Sequence, residues 1–187
     1  MRSPVLLAAL LASLAAVGCA TEGARQAVPE ITYAQAANSE LVATNYRAAD
    51  ALLAQFGGTA AGGPLIVATV VNIDALEQSS TLGRMISEQI SARFSQRGWQ
   101  MVELKLRGSI YMRRGEGELI LTREISDIAR SNKAQAIVLG SYAVGASFVY
   151  VNLKIVQPVS NAVLSAHDYV LPANQEVRTM LGRSTGR

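Results

Sequence analysis

Residues 65–90 read LIVATVVNIDALEQSSTLGRMISEQI, and this stretch sets the fold. It opens on an apolar run, Leu65–Val71, broken only by Thr69 and preceded by Gly62-Gly63-Pro64. A short run rich in β-branched residues and bounded by turn formers predicts a central strand buried on both faces. A polar connection, Asn72–Ser80, leads to a helix whose free N–H groups Ser79, Ser80 or Thr81 can cap. Leu82, Met85, Ile86, Ile90 and Phe94 recur at helical spacing and predict one apolar stripe against the sheet. Gly98, after Arg97, ends the helix.

Downstream, Gln100–Leu106 alternates apolar and polar residues, as a half-buried strand does, and a strand–helix–strand connection sets it parallel to the first. Ser109–Met112 reads as a short extended piece and Arg113–Glu118 as a charged, glycine-rich turn. Thr122 can cap a helix through Arg130, with Ile125, Ile128 and Ala129 inward. Ala136–Val144 is a second near-continuous apolar run. Phe148–Val156 and Ala162–Leu171 follow it across short turns, which make the three strands antiparallel neighbours. In Phe148–Val156, Val149, Val151, Leu153 and Ile155 alternate with Phe148, Tyr150, Asn152 and Lys154, so one face is core and the other meets solvent or a partner. A short helix is expected near Val177–Leu181.

Upstream, Asn38 or Ser39 can cap a helix to Phe56. Leu41, Val42, Tyr46, Ala49, Leu52, Leu53 and Phe56 fall on one side of it, as a packing stripe would. The expected fold is α/β (α+β): one domain, 39–182, with a mixed sheet of about five strands packed by helices, and a frayed tail at 183–187.

The first residues are of another kind. Arg2 precedes an apolar run, Val5–Val17, too short for a membrane span of about 20 residues but suited to a secretory signal. It ends in Ala16-Val17-Gly18-Cys19, which resembles the bacterial lipobox, with Ala16 where leucine is preferred. A plain secretory signal is the competing reading. Cys19 is the sole cysteine, so no intrachain disulfide or cysteine cluster can form. Residues 1–18 are thus expected to be a lipoprotein signal peptide, Cys19 the acylated (palmitate-bearing) first residue, and 19–38 a flexible tether. Several acyl chains anchor firmly where one binds only marginally. Ala20, rather than aspartate, follows the cysteine, which by the usual sorting rule favours the outer membrane.

Several chemistries find no residues to support them. The net charge of +3, dispersed and accompanied by few aromatics, does not make a nucleic-acid footprint. There is no phosphate loop of the P-loop type. His167 is the only histidine, which excludes a two-histidine metal site within one chain, and it reads as a structural or surface residue. Glu116 and Glu118 could be paired carboxylates, but glycines and arginines around them mark a solvated turn. Ser79 and Ser80 are accounted for by capping. No catalytic, cofactor or metal residue is expected, and no small-molecule substrate.

The stretch from Leu65 to Val144, with VNIDALEQSSTLGRMISEQI, the GEGE turn and LGSYAV as its specific parts, resembles the FlgO family of flagellar outer-membrane lipoproteins. The similarity continues through FVYVNLKIVQP and HDYVLP to Pro172. The resemblance implies a lipid-anchored outer-membrane protein that supports flagellar assembly or stability and motility beside flagellar envelope proteins, with its domain in the periplasm. It also implies a domain similar in outline to the N-terminal domain of TolB, and it brings no catalytic residue. The alternative is a regulatory lipoprotein that reaches through the periplasm to activate a peptidoglycan synthase. Phe148, Tyr150 and Lys154 are the candidate contacts to a flagellar envelope partner, unless the helix at 39–56 covers them.

Overall fold

The computed structural model describes residues 32, 34, 39–76, 78–102 and 127–182. The chain divides into two compact units, Met1–Ala36 and Ala37–Arg187, and the architecture below is that of the second. Its elements run α1 (Glu40–Gln55), a single 3-10 turn (Ala60–Gly62), β1 (Leu65–Val67), β2 (Val71–Asn72), α2 (Thr81–Gln96) and β3 (Met101–Val102). After helical residues 127–131 come β4 (Ala136–Val144), β5 (Phe148–Val156), β6 (Val163–Pro172) and α3 (Gln175–Met180). The mixed sheet has six strands in the order β3-β1-β4-β5-β6, with β2 also on β4. β1 is parallel to β3 and β4, while β4, β5 and β6 are antiparallel in turn. This is the expected single-domain α+β fold. The sixth strand arises because Leu65–Val71 is two strands rather than one.

The break has a geometric cause. Val67 lies opposite Val138 and Val71 opposite Ser141, so four steps on one side match three on the other: a one-residue bulge. The slip moves Val70, rather than Thr69, to the face shared with Leu65 and Val67. It also takes backbone groups out of the ladder, and serines replace the lost partners. Val70 N–H donates to Ser87 Oγ at 2.8 Å, and Ser79 Oγ donates to Val70 O at 2.9 Å. The Ser87 hydroxyl in turn sits 3.2 Å from Ala68 O and 3.0 Å from Gly83 O.

Ser80 caps α2 by accepting from Gly83 N–H at 3.1 Å, and Gly98, at φ +85°, ends the turn that follows. Leu82, Ile86, Ile90 and Phe94 are fully buried as expected, but Met85 is 43% exposed. The buried arc is rotated toward Gly83 and Ser87, because a side chain at 83 would meet Val70 O at 2.2 Å and only glycine lets α2 lie this close. In α1 the buried arc is Asn45, Ala48, Ala49 and Leu52, with Phe56 just beyond the helix; Leu41, Val42, Tyr46 and Leu53 are only half buried. Ser39 stands at the N-cap, yet its hydroxyl makes no capping bond, and Glu40 supplies the favourable charge to the first turn instead.

Two cores result. The larger joins α1, α2 and α3 to Leu65, Val70, Val138, Val149, Val151, Leu153, Ile155 and Leu171 on one sheet face. The smaller, on the other face, joins Ile66, Ala68, Ile137 and Val156 to Ala129 and the half-buried Ile128. Leu65 and Ile66 are fully buried on opposite faces, as expected of a central strand, whereas Val67 is half buried. Residues 103–126, which include the extended piece, the GEGE turn and Thr122, lie outside the described residues.

Candidate interaction surface

β5 places the candidate contacts. Its residues alternate as the sequence predicts: Val149, Val151, Leu153 and Ile155 are buried under α1 and α2, and Phe148, Tyr150 and Lys154 are exposed on the opposite face. Of the two readings considered for this stripe, coverage by the 39–56 helix is overturned. α1 packs on β6 and on the face that carries Val149, because its small, polar-centred arc follows Leu52 and Asn45 to that side. Ser165 Oγ donates to Leu52 O at 2.9 Å, and Tyr169 Oη donates to Asn45 Oδ1 at 2.6 Å. Among the described residues, helical residues 127–131 are what covers the other face, and the core they close reaches β1, β4 and only the last residue of β5, Val156.

The open part is broader than one stripe. Tyr150 lies beside Val170 on β6 and Ala143 on β4, and Phe148 beside Pro172. Phe148 and Tyr150 are 44% and 55% exposed, Val170 47%, and Ile73, from the turn after β2, 54%. Ile73 is held there by its N–H donating to Tyr142 O at 2.9 Å. Ile73, Ala143, Tyr150 and Val170, together with Ser141, Asn152 and Asp168, line an open groove of about 490 Å³. Its floor is polar where Asn152 Nδ2 donates to Asp168 Oδ1 at 2.6 Å. Lys154 stands one rung further, opposite Ala166, away from the aromatic end. The structure therefore gathers Phe148 and Tyr150 with Val170, Pro172 and Ile73, and sets Lys154 apart from them. Val170 and Pro172 could have been found from the alternation of β6. Ile73 sits in a turn without periodicity and gives no such signal.

A surface of this kind needs a rigid support, and two polar clusters hold the helices behind it. Asn45 Nδ2 donates to Gln89 Oε1 at 2.6 Å while Asn45 Oδ1 accepts from Tyr169 Oη, tying α1 to α2 and β6. Burial pushes the Tyr169 phenol up, so it remains a donor. Asp50 receives both Arg97 and Arg93: Nε and Nη2 of Arg97 donate at 2.8 Å each, and those of Arg93 at 3.0 and 2.7 Å. These hydrogen bonds hold the Asp50 carboxyl well below the usual carboxylate range. The Arg93 guanidinium also lies 5.3 Å from the centre of the Tyr46 ring.

His167 is half buried on β6, its ring stacked on Tyr169 with centroids 6.1 Å apart. Cys19, Glu116 and Glu118 lie outside the described residues. Among the described residues, no three His, Cys, Asp or Glu side chains converge on one point, and no helix is long and apolar enough to cross a membrane.

Two solved structures share the fold. The LpoB C-terminal domain from Escherichia coli superposes with a TM-score of 0.53 at 12% identity, covering 71% of this chain and 98% of that one. The LpoB C-terminal domain from Salmonella enterica gives 0.52 at 13% identity, with the same coverage. At such identities the likeness is one of fold alone. No curated protein matches the chain. The sequence profile of the FlgO protein matches residues 46–176, from the second turn of α1 through β6 into α3. With that match spanning most of its length, the chain belongs to the FlgO family, whose members are flagella-associated lipoproteins.

Proposed function

We propose that this chain is an outer-membrane lipoprotein that supports flagellar assembly or stability and motility, as a non-enzymatic interaction component of the envelope-spanning flagellar apparatus. The observation that carries this reading is the family match across residues 46–176, which includes the whole sheet and its open face. Residues 1–18 are the leader, Cys19 carries the acyl chains, and residues 19–38 tether the domain in the periplasm. The aromatic end of the open face, Phe148 and Tyr150, contacts a flagellar envelope protein, with Lys154 at its border. Aromatic side chains dominate binding energy at protein interfaces, and a patch of this type left in water is unfavourable without a partner. The alternative, activation of a peptidoglycan synthase, has no residue of this chain in its favour beyond a fold shared at low identity.

Three experiments test the reading. Metabolic labelling with a fatty acid marks the wild type, and Cys19→Ser is unlabelled and leaves the membrane fraction; equal labelling of both refutes the anchor. The double variant Phe148→Ser, Tyr150→Ser keeps its level and membrane attachment but loses motility and flagellar retention. Normal swimming at a normal protein level refutes the contact. Unimpaired motility in a strain lacking the protein, with loss of synthase activation instead, would establish the alternative.

A further inference from the structure

β6 ends the sheet, and its outer edge carries backbone groups that no described residue takes up. Ala173 N–H donates to Ser147 O at 2.9 Å, which, with Phe148 opposite Pro172, puts 147 and 173 at a hydrogen-bonded position of the ladder. In the register that follows, Ser165, His167, Tyr169 and Leu171 turn their N–H and C=O toward β5. Ala166, Asp168 and Val170 then turn theirs outward, away from the sheet, and Leu164, the extra residue of the bulge, precedes them. Among the described residues none donates to or accepts from these outward groups.

Edges of monomeric sheets are usually blunted by lysines, prolines, bulges or short length. This edge is ten residues long, has its single bulge at the hairpin end by Ile155/Val156, and reaches a proline only at its last position. Its one charge in the outward row, Asp168, is drawn back by the Asn152 amide. With Leu164 included, the outward row reads Leu164–Ala166–Asp168–Val170, apolar at both ends, and is therefore complementary to its own reverse.

We propose that a second copy of this chain docks on the edge, β6 antiparallel to β6, to make one continuous sheet across a two-fold axis. A two-fold interface brings the same surface from both copies, and an extended backbone is what satisfies a row of alternating donors and acceptors. With the axis at His167, Leu164 of each copy meets Val170 of the other, and Ala166 meets Asp168. A shift of the axis to Asp168 opposes two carboxylates, and a shift to Ala166 sets Leu164 against Asp168, so both are disfavoured. The pairing leaves Phe148 and Tyr150 free and does not rest on the flagellar reading.

The axis position supplies the test. His167 would face its own copy in a non-bonded pair, with Cα atoms about 4.5 Å apart, within the disulfide range of roughly 4.4–6.8 Å. In the full chain carrying Cys19→Ser, His167→Cys is expected to form a covalent dimer on mild oxidation, while Ser160→Cys, in the exposed hairpin turn, does not. Light scattering is expected to show a dimer for the Cys19→Ser chain. Ala166→Pro removes one outward N–H, and Leu164→Lys places a charge at each end of the pairing; each is expected to give a monomer with unchanged circular dichroism. Should Ala166→Pro disturb the fold, Leu164→Lys decides. A monomer at every concentration tested, no cross-link through position 167, or a dimer that survives Leu164→Lys would overturn the proposal. An edge that accepts only a foreign strand would show itself as the first of these.

Discussion

Ser87→Ala tests whether the break between β1 and β2 is held as described. The hydroxyl accepts from Val70 N–H at 2.8 Å, and both groups are out of water, Val70 being 1% and Ser87 8% exposed. Alanine fills nearly the same space but cannot accept, so a backbone donor is left buried without a partner, at about 1–3 kcal/mol. The bond to Ala68 O is lost as well, while Gly83 O keeps its place in the helix. Alanine's better helix propensity returns only a few tenths of a kcal/mol. A net loss of about 2 kcal/mol is expected. For a domain of this size that lowers Tm by about 4–8 °C. The measurement is urea and thermal unfolding of the Cys19→Ser chain by circular dichroism. Ser160→Ala, in an exposed turn, serves as the control and should fall within about 0.5 kcal/mol of the parent. If Ser87→Ala unfolds with the control, the bulge draws its stability from elsewhere and the account of the strand break fails.

Ile66→Asp should prevent folding, since an unpaired carboxylate at a fully buried position costs several kcal/mol against a total stability of about 5–15 kcal/mol. Val67→Asp, on the same strand, should be milder because Val67 is half buried; soluble expression and melting curves separate the two. Asp50→Asn should lower stability at pH 7 by on the order of 1 kcal/mol, a figure kept small by the exposure of the paired groups. Because the folded-state pKa of Asp50 is depressed, its contribution is full above the unfolded value near 3.9 and is lost as pH falls toward the lower folded value. The gap between wild type and Asp50→Asn should thus persist at pH 5 and close in stronger acid; a gap independent of pH throughout would rule out the ion pairs as its origin.

Much of this fold follows from local patterns. The helix α2, its Ser80 cap and Gly98 stop, the long apolar run of β4 and the strict alternation of β5 are properties of neighbouring residues, and each appears where the sequence places it. The same alternation assigned Phe148, Tyr150 and Lys154 to the outer face, because successive side chains on a strand must point to opposite sides. What periodicity could not supply depends on contacts between distant segments. The bulge after Val67 exists because Ser79 and Ser87, on another element, take up its freed backbone groups. The rotation of α2 that exposes Met85 comes from the approach of Gly83 to Val70 O. Asn45, a polar residue in the centre of a buried arc, is intelligible only beside Gln89 and Tyr169. The side of the sheet that α1 covers was likewise decided by packing, and with it whether the aromatic stripe is core or surface: a sequence pattern gives a helix its apolar face, but the partner of that face is chosen by the three-dimensional fit of the whole chain.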